Sequence, residues 1–282
     1  MGGRSAKLDS RGRLVGSLAP VKVSGIPSAA HGLAVGVTHA CVLDPAGASW
    51  CWGLNDRGQV GDGTTKPRPK PVKAKAATAV KLVASDGYTC ALLAAGGVSC
   101  WGRSHGTAGD ALNPEGLVVA STKPRPIAGL EQATDLVATG DFACALLAGG
   151  AVSCWGENDH GQLGDGTVTG HSTPAVVALP AASQVIATAN HACVIAAADG
   201  SVLCWGRGDD GQIGDGAFEE RHTPDPVATP ALAARLYGGA SGHWTLALGM
   251  DGSAFAWGRN QYGQLGDRST NDAALPVRSL LP

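Results

Sequence analysis

Ser49-Trp50-Cys51-Trp52-Gly53, followed by Leu54-Asn55-Asp56-Arg57 and then Gly58-Gln59-Val60-Gly61-Asp62, decides the fold, because the chain repeats it. Cys-Trp-Gly returns at Cys100-Trp101-Gly102, Cys154-Trp155-Gly156 and Cys204-Trp205-Gly206, and a worn copy stands at Ala256-Trp257-Gly258. The tryptophans of these copies lie 49, 54, 50 and 52 residues apart, and a Gly-Asp pair follows each, starting at Gly61, Gly109, Gly164, Gly214 and Gly266. A period of about fifty residues means stacked supersecondary units that bury their apolar faces on one another. Residues that recur in every unit then serve the unit; chemistry has to be sought among those that do not.

Working outward, the second repeat reads as a set of short strands. Val80-Lys81-Leu82-Val83-Ala84 alternates, Ser85-Asp86-Gly87 turns, and Tyr88-Thr89-Cys90-Ala91-Leu92-Leu93 is an apolar run. Ala94-Ala95-Gly96-Gly97 is a hairpin turn before Val98-Ser99-Cys100-Trp101-Gly102. A polar loop, a proline-rich connector and a Pro-Val segment complete the unit, the last recurring at Pro20-Val21, Pro71-Val72, Pro126-Ile127, Pro174-Ala175-Val176, Pro226-Val227 and Pro276-Val277. The 42 glycines and 16 prolines are too many for a helical chain, whereas 44% hydrophobic content is enough for a sizeable core. The expected fold is all-β: a β-propeller of four-stranded blades, about fifty residues each.

The segments His39-Ala40-Cys41-Val42-Leu43, Trp50-Cys51-Trp52-Gly53 and Gly58-Gln59-Val60-Gly61-Asp62-Gly63-Thr64 together resemble the repeat of the regulator-of-chromosome-condensation family. The resemblance runs from about Val15 to Leu281. It implies a β-propeller, usually of seven blades, and leaves function open among exchange factors for a small GTPase, chromatin-binding or scaffold proteins, and bacterial proteins of varied role.

The expected organisation is an N-terminal partial repeat over 1–19 and a single propeller domain over 20–282. Its repeats run over about 20–62, 71–110, 126–165, 174–215 and 226–267, with a terminal strand at 276–281. Five units are fewer than the resemblance implies, so either the ring closes with five blades or the chain is an arc of a larger one; the arc is slightly favoured.

Eight cysteines fall as Cys41/Cys51, Cys90/Cys100, Cys144/Cys154 and Cys193/Cys204, one pair per hairpin. A spacing of ten sets the first three pairs opposite each other on adjacent antiparallel strands, close enough for a disulfide. The fourth spacing is eleven, which a bulge would absorb. The fifth repeat has Thr245 and Ala256 at these positions, so both members are absent together. Reduced core cysteines are the alternative; zinc motifs use closer spacings, and no metal or other cofactor is expected. Bonded pairs place the chain in an oxidising compartment, extracellular or periplasmic, with the cytoplasm as the alternative. The polar Met1–Arg13 start carries no leader, so a trimmed or fragmentary N-terminus is expected.

No catalytic motif is present, and the protein is read as non-enzymatic. His39, His191 and His243 share a slot with Tyr88 and Phe142, which makes the slot a packing position. Trp50 and Trp244 lie outside the recurring tryptophan slot and are candidates for exposed contact residues. The Gly-Asp aspartates are read as bonding their own turns rather than calcium.

Two features escape the repeat. The loop after Trp-Gly differs in every unit: Asn55, Asp56 and Arg57; Ser104 and His105; Asn158, Asp159 and His160; Asp209 and Asp210; Asn260, Gln261 and Tyr262. Equivalent loops of successive blades share one propeller face, so these side chains are the candidate protein-binding surface. Lys66, Arg68, Lys70, Lys73 and Lys75 form a basic run, and the connector Ala111–Thr122 is longer than its counterparts. A net charge of -2 predicts no specific nucleic-acid binding, and no apolar run is long enough to span a membrane. The leading expectation is a partner-binding propeller; the alternatives are an exchange-factor-like regulator of a small GTPase and a carbohydrate-binding or enzymatic propeller.

Overall fold

Short apolar runs of small and β-branched residues, cut by glycines every few residues, can only pair as narrow antiparallel sheets. A computed structural model of the chain describes residues 20–27, 29–103, 120–229, 231–239 and 242–280, and the backbone of a ribbon of β1 (Lys7–Leu8) and β2 (Leu14–Val15). Five four-stranded sheets follow. The first contains β3 (His31–Val35), β4 (His39–Leu43), β5 (Ser49–Gly53) and β6 (Arg68–Lys73). The second contains β7 (Ala79–Ala84), β8 (Tyr88–Leu93), β9 (Val98–Gly102) and β10 (Ser121–Ile127). The third contains β11 (Ala133–Thr139), β12 (Phe142–Leu147), β13 (Val152–Gly156) and β14 (His171–Val176). The fourth contains β15 (Ala182–Ala187), β16 (His191–Ala196), β17 (Val202–Gly206) and β18 (Arg221–Pro226). The fifth contains β19 (Ala233–Gly238), β20 (Trp244–Gly249), β21 (Ala254–Gly258) and β22 (Ala273–Arg278). Among the described residues there is no helix.

Each sheet pairs its strands in chain order, so each Pro-Val segment closes a sheet instead of opening the next. Proline cannot donate to a ladder and is tolerated on an edge strand, which is where β6, β10, β14, β18 and β22 lie. Lys66, Lys70, Lys73 and Lys75 are exposed on and beside that edge, and Arg68 Nε donates to Asp62 Oδ2 at 2.6 Å. The basic run is therefore a solvated edge, which also discourages strand addition.

The two middle strands of each sheet form the expected hairpin. Cys41, Cys90, Cys144 and Cys193 stand directly opposite Cys51, Cys100, Cys154 and Cys204, and each pair forms a disulfide across a Cα separation of 4.1 Å. The extra residue of the fourth hairpin sits in its turn; the ladder from His191 to Ile195 has no bulge. In the fifth hairpin Leu246, not Thr245, faces Ala256, and Trp244, not His243, faces Gly258 as His39 faces Gly53. That hairpin has the shorter turn of the third sheet, so the count backwards from Ala256 differs by one from the fourth.

The core lies between the sheets. Cys41, Leu43 and Cys51 pack on Leu82, Ala84, Ala91 and Trp101, and the same arrangement recurs from sheet to sheet. One hydrogen bond latches the junctions: Trp101 Nε1–H donates to the Gln59 carbonyl at 2.9 Å, Trp205 to Gln162 at 2.9 Å and Trp257 to Gln212 at 3.0 Å. The Gly-Gln-x-Gly turn thus serves the tryptophan of the following sheet. A Cβ added to Gly164 would stand 2.7 Å from the Trp205 indole nitrogen, on a backbone with φ of +70°. Gly164→Ala is expected to lower stability by about 3 kcal/mol, read as a shifted urea midpoint. An unchanged midpoint would refute the latch.

Inner strands pack in succession, β3 with β7, β7 with β11, β11 with β15 and β15 with β19. No packing of that kind joins β19 to β3 among the described residues.

Candidate functional site

The loop after each Trp-Gly is fastened at its foot and held at its middle. Leu54 N–H bonds the Thr38 carbonyl at 2.9 Å, and Arg103, Glu157, Arg207 and Arg259 repeat the contact with Gly87, Asp141, Asn190 and His243. Every loop therefore leaves its sheet beside that sheet's own inner turn, at one end of all five sheets. Those inner turns surround a cavity of about 410 Å³ lined by Val35, Val37, Asp86, Gly140, Asn190 and His243. The sequence-predicted convergence of variable loops on one face is a geometric consequence of these ties.

Asn55, Asn158 and Asn260 are fully buried and are withdrawn from the contact surface. Asn158 Nδ2 donates to the carbonyls of Thr167 and Thr169 at 3.0 and 3.2 Å, and its Oδ1 accepts from Leu163 N–H at 2.9 Å. Asn55 and Asn260 make the corresponding bonds. Their recurrence three residues after the tryptophan was the available signal of a structural role. Asn158→Ala is expected to cost about 3 kcal/mol, because several buried backbone groups lose their partner. The check is a denaturant midpoint.

The loop middle is also pinned by the recurring glutamine. Gln59 Oε1 accepts from Arg57 N–H at 2.9 Å, and Gln162, Gln212 and Gln264 do the same for His160, Asp210 and Tyr262. The tips point outward: Asp56, Arg57, Asp159, Asp209, Gln261 and Tyr262 are exposed, and His160 and Asp210 are half-buried. Tyr262 is 88% exposed, an uncommon setting for a large aromatic side chain. Ser104, His105 and most of the Ala111–Thr122 connector lie outside the described residues.

The face carries mixed charge. Arg103 lies between Asp86 at 3.2 Å and Asp141 at 3.5 Å. Arg207 holds Asp209 with two bonds of 2.6 Å, which keeps the Asp209 carboxyl below the usual carboxylate range. His243 Nδ1 lies 2.9 Å from Asp210 Oδ2. Asp62, Asp165, Asp215 and Asp267 bond their own turns, and Asp110 lies outside the described residues; the Ser269 backbone N–H, at 2.9 Å, holds the Asp267 carboxyl low. No cluster of metal-binding side chains occurs among the described residues.

Two of the packing histidines, His39 and His191, are buried and reach the next sheet. His39 Nε2 and Thr89 Oγ1 of the next sheet are 2.7 Å apart, as are His191 Nε2 and Thr245 Oγ1. Tyr88 O–H donates to the Phe142 carbonyl at 3.0 Å from the same slot. Trp50 and Trp244 are half-buried; Trp50 packs beside Trp52, and its Nε1–H donates to Asp44 at 3.0 Å.

Four-stranded antiparallel sheets, stacked in chain order around shared inner turns, are the blades of a β-propeller. The chain belongs to the regulator of chromosome condensation (RCC1) repeat family, whose models match residues 46–92, 149–195, 199–235 and 251–281, and also 31–59, 133–162 and 183–212. It is 30% identical over 181 residues to the human E3 ubiquitin-protein ligase HERC2, covering 57% of this chain and 4% of that protein. It is also 30% identical over 181 residues to the mouse secretion-regulating guanine nucleotide exchange factor, covering 57% of this chain and 39% of that protein. Yeast RCC1 (Prp20), solved bound to Kap60, superposes with a TM-score of 0.73 at 22% identity, over 88% of this chain and 63% of that one. The chain thus spans only part of each of these proteins.

Proposed function

We propose that the protein binds a protein partner, without catalysis, through the loop face around the central cavity. The observation that carries this reading is the contrast within each loop: recurring Asn and Gln fix the backbone, while the exposed tips differ from blade to blade. Rigidly held, variable polar tips are what a recognition surface needs. Kap60 bound to yeast RCC1 supports the reading at the level of the family. The test is affinity capture with the wild-type chain, followed by titration of the captured protein against Arg57→Ala, Asp209→Ala and Tyr262→Ala. At least a tenfold weaker affinity is expected for Tyr262→Ala, since exposed aromatics anchor interfaces. Unchanged affinity for all three variants would remove the loop face from the proposal.

The cysteine pairs favour an oxidising compartment, extracellular or periplasmic, for this activity. Similarity to the secretion-regulating exchange factor supports a second reading, acceleration of nucleotide release from a small GTPase. That reading requires a reducing cytosol. Release of a fluorescent nucleotide from a GTPase, measured with and without the chain, decides between the two.

A further inference from the structure

In an Asp-Gly pair the glycine carries no Cβ to obstruct its own nitrogen, which can then attack the aspartate carboxyl carbon. The chain has six such pairs, at Asp62, Asp86, Asp165, Asp199, Asp215 and Asp251. In five of them the fold ties up both reacting groups. The Gly63, Gly166 and Gly216 N–H groups donate to the Thr122, His222 and Ala274 carbonyls of the following sheet, each at 2.9 Å. Gly200 and Gly252 close hairpin turns, donating to Ala196 and Gly249 at 3.0 Å. The five carboxylates in turn accept from the backbone N–H two residues on, each at 2.9 Å.

Asp86-Gly87 is the exception. It lies in the inner turn between β7 and β8, and the Gly87 N–H meets no acceptor among the described residues. Other groups close this turn: Ser85 N–H donates to the Tyr88 carbonyl at 3.1 Å, and the Gly87 carbonyl accepts from Arg103 N–H at 2.7 Å. The Asp86 carboxylate takes no bond from its own turn. Its side chain is 55% exposed, and its partner is the Arg103 guanidinium at 3.2 Å. The same place in the first, third and fourth blades holds Val37-Thr38, Gly140-Asp141 and Ala189-Asn190, none of them an Asp-Gly pair.

We infer that Asp86 is a modification site, where the folded protein converts aspartate to isoaspartate ahead of its other Asp-Gly pairs. The Gly87 nitrogen bonds to Asp86 Cγ, and one carboxyl oxygen leaves as water with the amide proton and a proton from solvent. Water then opens the resulting succinimide. Cleavage between Cγ and nitrogen restores Asp86; cleavage between the Asp86 carbonyl carbon and nitrogen routes the backbone through Cγ and frees the α-carboxylate. No electrons are transferred, and the water lost in the first step is regained in the second. Isoaspartate adds one methylene to a turn that lines the central cavity and fastens the foot of the second loop. The carboxylate facing Arg103 is thereby displaced.

The test is to age the oxidised whole chain in warm neutral buffer for several weeks, then measure isoaspartate at each pair by peptide mapping and electron-transfer fragmentation. Asp86 is expected to exceed each of the other five at least tenfold, since their amides react only after local opening. In the reduced chain held unfolded in urea, the six should accumulate comparable amounts. Asp86→Glu keeps the charge beside Arg103 but needs a larger, slowly closing ring, so methyl uptake catalysed by an isoaspartyl methyltransferase should fall to near background. Equal conversion at all six sites of the folded chain would overturn the inference. So would the same preference for Asp86 in the unfolded chain, or undiminished methyl uptake by the variant. None of these readouts involves a partner, so failure here leaves the loop-face reading untouched.

Discussion

Reduction of the disulfides is expected to unfold most of the chain under conditions where the oxidised protein is stable. A closed loop of ten residues contributes about 2–3 kcal/mol by restricting the unfolded chain, so four of them contribute on the order of 10 kcal/mol. A domain's whole net stability is typically about 5–15 kcal/mol. All eight cysteine side chains are fully buried within the blade junctions, so reductant gains access by way of unfolding. Tryptophan fluorescence melts with and without dithiothreitol measure the effect. The fifth blade holds Leu246 and Ala256 in place of a bonded pair, so it loses no bond of its own. Equal melting temperatures in the two conditions would dismiss this account.

Mild acid is the second large effect. Burial pushes the His39 imidazole from 6.5 down to about 4, against a smaller upward pull from Asp86. Burial, helped by His243, pushes His191 down to about 3. Both are neutral in the folded protein at a pH where the unfolded chain already binds a proton. The unfolded state therefore takes up more protons between pH 6.5 and about 4 or 3, and stability falls as pH drops through that window. At 1.36 kcal/mol for each unit, the losses are about 3 kcal/mol from His39 and roughly 5 kcal/mol from His191. Below the lower value these two groups cause no further loss. His39→Phe, which borrows the residue at Phe142, is expected to flatten the profile by about 3 kcal/mol while weakening the protein at pH 7 by the lost Thr89 contact. Urea midpoints at pH 7 and pH 4 decide the matter; a variant with the full wild-type pH dependence counts against it.

Much of the fold was legible because its signals are local. A hairpin is a matter of turn residues and alternation, and both lie within about ten residues of one another. Facing cysteines follow from that spacing alone. The fifth hairpin shows the limit: the side chain opposite Ala256 depends on turn length, and one residue separates Thr245 from Leu246. The junctions were not legible. No pattern within one repeat says that the Gln59 carbonyl belongs to Trp101, because the partner lies 42 residues on.

The candidate site was half legible. Its face follows from blade order, and Asp56, Arg57, Asp209 and Tyr262 do reach solvent. Asn55, Asn158 and Asn260 sit in the same variable loop, and position in the loop alone does not separate them from the tips. They recur in three of the blades, and Gly208 replaces them in a fourth, where an added Cβ would collide with the Glu219 carbonyl oxygen. That carbonyl fills the place the asparagine would need.

The latch between Gln59 and Trp101 has a bearing on how such a chain can change its length over evolutionary time. Because three of the junctions share this bond, a carbonyl given forward to the next unit's indole, duplicating or deleting one whole unit between them recreates it at the splice. Internal seams stay sound whatever the copy number.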